Sequence, residues 1–284
     1  MRYGVTFPYF EARDLAELSH EAEESGWDGV FVWDAIWGFD VWVALGAAAM
    51  RTERVRLGPM LTPPSRRRPW KLASEVATLD RLSNGRVILS VGLGAPEVGF
   101  DKVGEETDRK VRAQLLDESL EIITGLWSGK PFSYSGQHYQ IQDVTFDPPP
   151  IQTPRVPIWV AAGWPREKSM QRAVKYEGVL PLKINPEGGH APFNTDGTHG
   201  NMNPDDIRAM REYVEQRREQ GTPYDIVMEG ETPGDDAEKA RAIIQPYQEA
   251  GCTWWLENVW QTPWEQGGVE GIRARIRQGP PRDD

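Results

Sequence analysis

LSNGRVILSVGLG, residues 82–94, decides how this chain is read. Asn84-Gly85 is a turn signal. Val87-Ile88-Leu89-Ser90-Val91 follows as an apolar, strand-like run and ends in Gly92-Leu93-Gly94. A Gly-x-Gly at a strand end suits a nucleotide-binding turn, or only the exit of a buried strand from the core. Three residues do not separate the two; their surroundings do.

Outward from this stretch the chain repeats one unit, a strand followed by a helix. Strands are expected at residues 3–7, 28–34, 55–61, 86–94, 157–163, 178–184, 224–230 and 253–259. Helices are expected at 14–26, with Asp14 as its cap, and at 40–50, 70–83, 109–127, 166–176, from 203, 235–251 with a kink at Pro246, and 269–279. Residues 132–144 alternate around Ser135-Gly136 and read as a small hairpin outside the repeat, after the fourth helix. Residues 185–203, rich in Gly, Asn, Pro and Thr, read as a long loop or lid.

Eight such units without a composition break imply one domain, 1–284, folded as a closed (β/α)8 TIM barrel. The alternative is a doubly wound open sheet. That fold places Gly-x-Gly-x-x-Gly after its first strand, where this chain has Pro8-Tyr9-Phe10-Glu11.

The 284 residues carry a net charge of −11, which repels nucleic-acid phosphate and anionic membrane. Cys252 is the only cysteine, so neither an internal disulfide nor a thiolate metal cluster can form. Four histidines, His20, His138, His190 and His199, lack metal-ligand spacing, and no metal is expected. No signal peptide or membrane-length apolar run is visible, so the expected location is cytoplasmic. Most of the twelve tryptophans are expected in the core, those at strand ends walling a flat ligand.

Two long blocks carry a resemblance. Residues 54–94, RVRLGPMLTPPSRRRPWKLASEVATLDRLSNGRVILSVGLG, and residues 115–163, from LLDESLEIITGLW through the Tyr-x-Gly-x-x-Tyr hairpin to PIWVAAG, resemble the bacterial luciferase-like oxidoreductases. The resemblance covers residues 1–184 and rests on topology beyond them. It implies a (β/α)8 barrel binding FMN or the deazaflavin coenzyme F420 at the carboxyl ends of the strands. It also implies hydride transfer to or from a small organic substrate. Two alternatives stay open: an FMNH2-dependent monooxygenase supplied by a partner flavin reductase, and a non-catalytic cofactor-binding protein of the same fold. A homodimer also stays open.

The resemblance makes Gly92 and Gly94 lining residues of a ligand loop. It assigns the cofactor to Asp34, Pro59, Met60, Gly92, Gly94, Ala161, Ala162, Gly163 and Trp164. The ring is expected near Asp34, Met60 and Gly92. The phosphate is expected at Gly163 and Trp164, where backbone N–H groups open the fifth helix. Deazaflavin relatives often read Asp-His at the second strand end; here the pair is Asp34-Ala35. Some carry Glu directly after the Gly-x-Gly; here Glu97 lies two positions later. Asp34 and Glu97 are the catalytic candidates. Small apolar residues around both strand ends tilt the choice toward the deazaflavin. A non-prolyl cis peptide is expected at Pro59–Met60. Arg66-Arg67-Arg68 reads as a loop with at least two of the three in solvent, or as a contact for an anionic group. Arg166 and Lys168 suit a phosphate or solvent.

Overall fold

A computed structural model describes residues 1–8, 11–184, 202–219, 221, 223–259 and 268–282. Its elements follow the expected order: β1 Arg2–Phe7, α1 Ala12–Glu24, β2 Gly29–Val32, α2 Val41–Arg51, β3 Arg56–Pro59, α3 Pro69–Leu82 and β4 Leu89–Val91. After them come α4 Arg109–Leu126, β5 Phe132–Ser135, β6 Gln140–Val144, β7 Ile158–Trp164, α5 Glu167–Ala173 and β8 Gly178–Lys183. The chain ends with α6 Pro204–Glu215, β9 Asp225–Gly230, α7 Ala237–Ala250, β10 Trp254–Asn258 and α8 Val269–Arg277.

The sheet order is β3-β2-β1-β10-β9-β8-β7-β4, all neighbours parallel. Parallel bridges Leu57–Val87 and Thr62–Val91 join the two ends, so the barrel is nearly closed. The fourth strand is shorter than the apolar run that announces it. Its turn is as expected: Asn84 and Gly85 both take left-handed φ, 55° and 80°.

Strand alternation divides the core. Phe31, Ile88, Trp159, Leu180, Val227, Trp254 and Leu256 fill the barrel. Phe31 stacks on Trp159 with ring centroids 5.1 Å apart, and Trp159 meets Trp254 edge-on at 5.3 Å. The opposite strand faces, with residues such as Val30, Leu57, Leu89 and Val160, pack under the helices. Both faces of every strand are therefore covered, and that is why the strands read as unbroken apolar runs.

Side-chain caps set several helix starts. Asp40 accepts from the backbone N–H groups of Trp42 and Val43, and Asp108 from those of Lys110 and Val111. Asn203 and Asp206 form a capping box on α6. Asp14 is not the cap of α1: that helix begins at Ala12, which puts Asp14 in its first turn. The helix α7 continues through Pro246. β5 and β6 form the separate antiparallel hairpin, docked on α4. There the Glu118 carboxylate accepts N–H bonds from Gln137, His138 and Tyr139.

No described helix is long and apolar enough to cross a membrane. The expected lid, apart from Met202 and Asn203, lies outside the described residues, as do Trp260 and Trp264.

Candidate active site

A cavity of about 860 Å³ opens at the carboxyl ends of the strands, the face on which barrel enzymes build their sites. The strand-end positions Trp33, Met60, Ala161, Leu180, Val227 and Glu229 contribute to its floor, and Leu93, Gly94, Pro96 and Phe100 to its wall after β4.

Six of the residues expected from the sequence line it: Asp34, Met60, Gly94, Glu97, Ala161 and Gly163. Four do not. Ala162 packs in the core under the helices, one strand position out of phase with Ala161. Pro59 is likewise out of phase with Met60. Gly92 is wedged behind the cavity, where a Cβ would meet Leu61 at 2.9 Å and Ala161 at 3.0 Å. Trp164 packs edge-on against Tyr213, ring centroids 6.2 Å apart.

Asp34 is committed to partners. Its Oδ2 accepts from Thr62 Oγ1 at 2.9 Å, and Arg67 donates to the same carboxylate at 3.1 Å. Arg66 donates to the Asp34 backbone oxygen at 2.7 Å and lies 3.3 Å from Oδ1. The solvated reading of the arginine run is therefore corrected. The Arg66 and Arg67 side chains are only 9% and 20% exposed, because Asp34 draws both inward. Arg68 alone of the three is exposed. Glu97 is exposed at the cavity rim.

The Gly-x-Gly turn is held from behind. Arg112, on α4, donates from Nη1 to the carbonyl oxygens of Leu93, at 2.7 Å, and Gly94, at 2.9 Å. Gly94 has φ +73°, and a Cβ there would meet Phe100 and Pro63 at 2.8 Å. Glycine is required on both counts. Gly163 does not share that conformation; positive φ is not its role. Its N–H donates to Ser169 Oγ at 2.9 Å, so that amide already has an acceptor.

The sequence reading missed the cationic wall. Arg109 and Arg112 of α4 and Arg172 of α5 line the cavity with Arg66. Arg66 and Arg112 both lie over the Phe100 ring, at 5.5 and 5.8 Å. Burial holds the Arg66 and Arg112 guanidinium groups below their usual range. Burial lowers Arg109 too, helped by repulsion from Arg166, Arg112 and Arg172. Arg66 Nε and Arg112 Nε are buried N–H groups with no acceptor among the described residues. Arg172 is tied to Asp117, with Nη2 2.8 Å from Oδ2. Also missed was Glu229, a carboxyl on the cavity floor. Its signal was a charge following the apolar centre Ile226-Val227-Met228 of a parallel strand.

The non-prolyl cis peptide occurs at Met60–Leu61, one bond later than expected. Among the described residues no group of His, Cys, Asp or Glu could hold a metal ion.

The family model for luciferase-like monooxygenases matches residues 1–190, two thirds of the chain. This chain belongs to the luciferase-like monooxygenase family. Among the family's curated members, an F420-dependent glucose-6-phosphate dehydrogenase of Amycolatopsis mediterranei is 36% identical over 173 residues, covering 57% of this chain and 51% of the relative. A second protein of that description, from Nakamurella multipartita, is 30% identical over 269 residues, 88% of this chain and 74% of the relative. The chain thus spans about half the length of the first relative and three quarters of the second. The structure of an F420-dependent secondary alcohol dehydrogenase superposes with a TM-score of 0.77 at 18% identity, covering 100% of this chain and 99% of the other. That likeness confirms the family's barrel fold.

Proposed function

We propose that this chain is an F420-dependent oxidoreductase transferring hydride to or from a small organic substrate. The observation that carries this reading is the cavity at the strand ends, apolar on its floor apart from Glu229 and walled by arginines. Its chemistry suits a flat deazaflavin ring with an anionic tail. When bound, the deazaflavin supplies hydride chemistry at its ring carbon.

The chain's own residues have distinct tasks. Met60, Leu61 and Ala161 offer an apolar bed for the ring at the barrel mouth. Gly94, fixed by Arg112, lets backbone come close to a ligand. The Nε–H groups of Arg66 and Arg112, without an acceptor among the described residues, are donors suited to an anionic group. We place the phosphate along the arginine wall, because the Gly163 N–H is engaged by Ser169. Asp34 positions Arg66 and Arg67 instead of exchanging protons itself. The curated relatives' descriptions support F420 as the cofactor.

The family model's description favours a second reading, a monooxygenase using FMNH2 from a partner reductase. Titration of the protein with F420 and separately with FMN, followed by cofactor fluorescence, tests the choice. Tighter binding of F420 supports the first reading, and tighter binding of FMN the second.

A further inference from the structure

Glu229 sits at the carboxyl end of β9 with its side chain on the inner face of the barrel. The register fixes this orientation. Glu229 lies opposite Leu256, which packs inside the barrel, as does Val227 two residues earlier. The side chain faces the same cavity as Met60, Ala161 and Leu180. It makes no hydrogen bond or ion pair among the described residues. Glu229 is half-buried, and a carboxyl withdrawn from water is ordinarily paired, because an unpaired one loses its solvation without return. One held free at the floor of a ligand cavity is a functional-site signal.

We propose that Glu229 is the catalytic residue that exchanges a proton with the substrate, a small alcohol or the carbonyl compound to which it is oxidised. The inference rests on the deazaflavin reading above. In oxidation, the alcohol O–H bond breaks and its proton passes to the Glu229 carboxylate. The adjacent C–H bond breaks with its electron pair, which leaves as hydride to the oxidised deazaflavin, and the C=O double bond forms. In reduction, protonated Glu229 returns the proton to the carbonyl oxygen as hydride reaches its carbon.

The two other cavity carboxylates suit this task less. Asp34 is taken by Thr62, Arg66 and Arg67, and Glu97 is at the exposed rim. The residue after Asp34 is Ala35, which carries no proton, so β2 offers no second acid or base beside it.

Desolvation alone pushes the Glu229 carboxyl from its ordinary 4.5 up to about 7, so both protonation forms are present near neutrality. The other charged groups on the described cavity walls are Asp34, Arg66, Glu97, Arg109, Arg112 and Arg172. On the flanking strands, Lys183 of β8 is bound to Asp206. Glu257 of β10 points to the opposite sheet face, where Thr232 and Arg275 hold it.

The test compares the parent with Glu229→Gln, which preserves shape. F420 affinity is measured by fluorescence titration, and the protonated-carboxyl C=O stretch by infrared spectroscopy between about pH 5.5 and 8.5. F420 reduction is followed with 2-propanol and with glucose 6-phosphate as hydride donors. We expect unchanged F420 affinity and an infrared band that titrates near neutrality in the parent and is absent from Glu229→Gln. We expect kcat to fall about a hundredfold or more with little change in KM. In Glu229→Ala, added formate should restore part of the rate. An infrared band that survives in Glu229→Gln, or a variant with the parent's kcat and pH profile, overturns the inference and leaves the deazaflavin reading standing. A parent that binds no F420 overturns the reading itself.

Discussion

Arg67 donates from Nη2 to both carboxylate oxygens of Asp34, at 3.1 and 3.4 Å, across 33 residues of sequence. The Asp34 side chain is 1% exposed, so the pair is shielded on one side from solvent. Removing one member of a buried pair strands the other, at a cost of about 3–5 kcal/mol. Because Arg67 also reaches Glu75, the lower end applies. Asp34→Ala should lower unfolding stability by about 3 kcal/mol in urea titration, with the Arg66 side of the cavity loosened. The double variant with Arg67→Ala should lose less than the sum of the single losses. Strict additivity would mean the two residues are uncoupled.

Arg112 ties the turn after β4 to α4 through two carbonyl oxygens. Arg112→Leu keeps a stem of similar bulk but frees both. We expect F420 affinity to drop about tenfold or more, equivalent to the loss of one or two charge-assisted hydrogen bonds. Arg112→Lys should recover only part, since a single ammonium lacks the planar fork. Fluorescence titration of both variants decides this. An affinity equal to the parent's in Arg112→Leu would remove Arg112 from the site.

Gly94 and Gly163, both assigned to the cofactor by the resemblance, should behave differently on substitution. Gly94→Ala puts a Cβ within 2.8 Å of Phe100 and Pro63 at φ +73°, a conformation costing about 1–2 kcal/mol for an L residue. Gly163→Ala meets the single side chain of Ile184, at 2.6 Å from Cγ1, and needs no left-handed φ. Thermal melts should show a clear loss for Gly94→Ala and a smaller one for Gly163→Ala. The reverse order would contradict the assigned roles.

The reasons for this split are physical. Period and turn chemistry are local, so the barrel, the hairpin and the Asn84-Gly85 turn were all legible. Facing is relative. The run Val160-Ala161-Ala162-Gly163 does not say which residues look inward until neighbouring strands fix the phase, and so Ala162 was grouped with Ala161. Burial of Arg66 and Arg67 depends on Asp34, more than thirty residues away, and no local pattern reveals it. Glu229 was the opposite case. Its charge follows the apolar run Ile226-Val227-Met228, and strand parity with Val227 could have placed it in the barrel.

The raised Glu229 carboxyl has a consequence for stability. The folded protein holds that proton more tightly than the unfolded chain, whose carboxyl keeps its ordinary 4.5. The unfolded state therefore binds fewer protons between about pH 4.5 and 7. Stability from this group is fully present below 4.5 and is lost as pH rises through about 7. Glu229→Gln carries no such titration. Its melting temperature should exceed the parent's at alkaline pH, with the advantage shrinking as pH falls toward 4.5. A difference independent of pH would show that Glu229 titrates normally.

On the proposed function, the arginine-walled cavity at the strand ends holds a deazaflavin. The most direct measurement is equilibrium titration of the purified protein with F420, and separately with FMN, by cofactor fluorescence. We predict saturable F420 binding at least about tenfold tighter than FMN, weakened in Arg112→Leu and unchanged in Glu229→Gln. Binding of neither cofactor, or tighter binding of FMN, would contradict it.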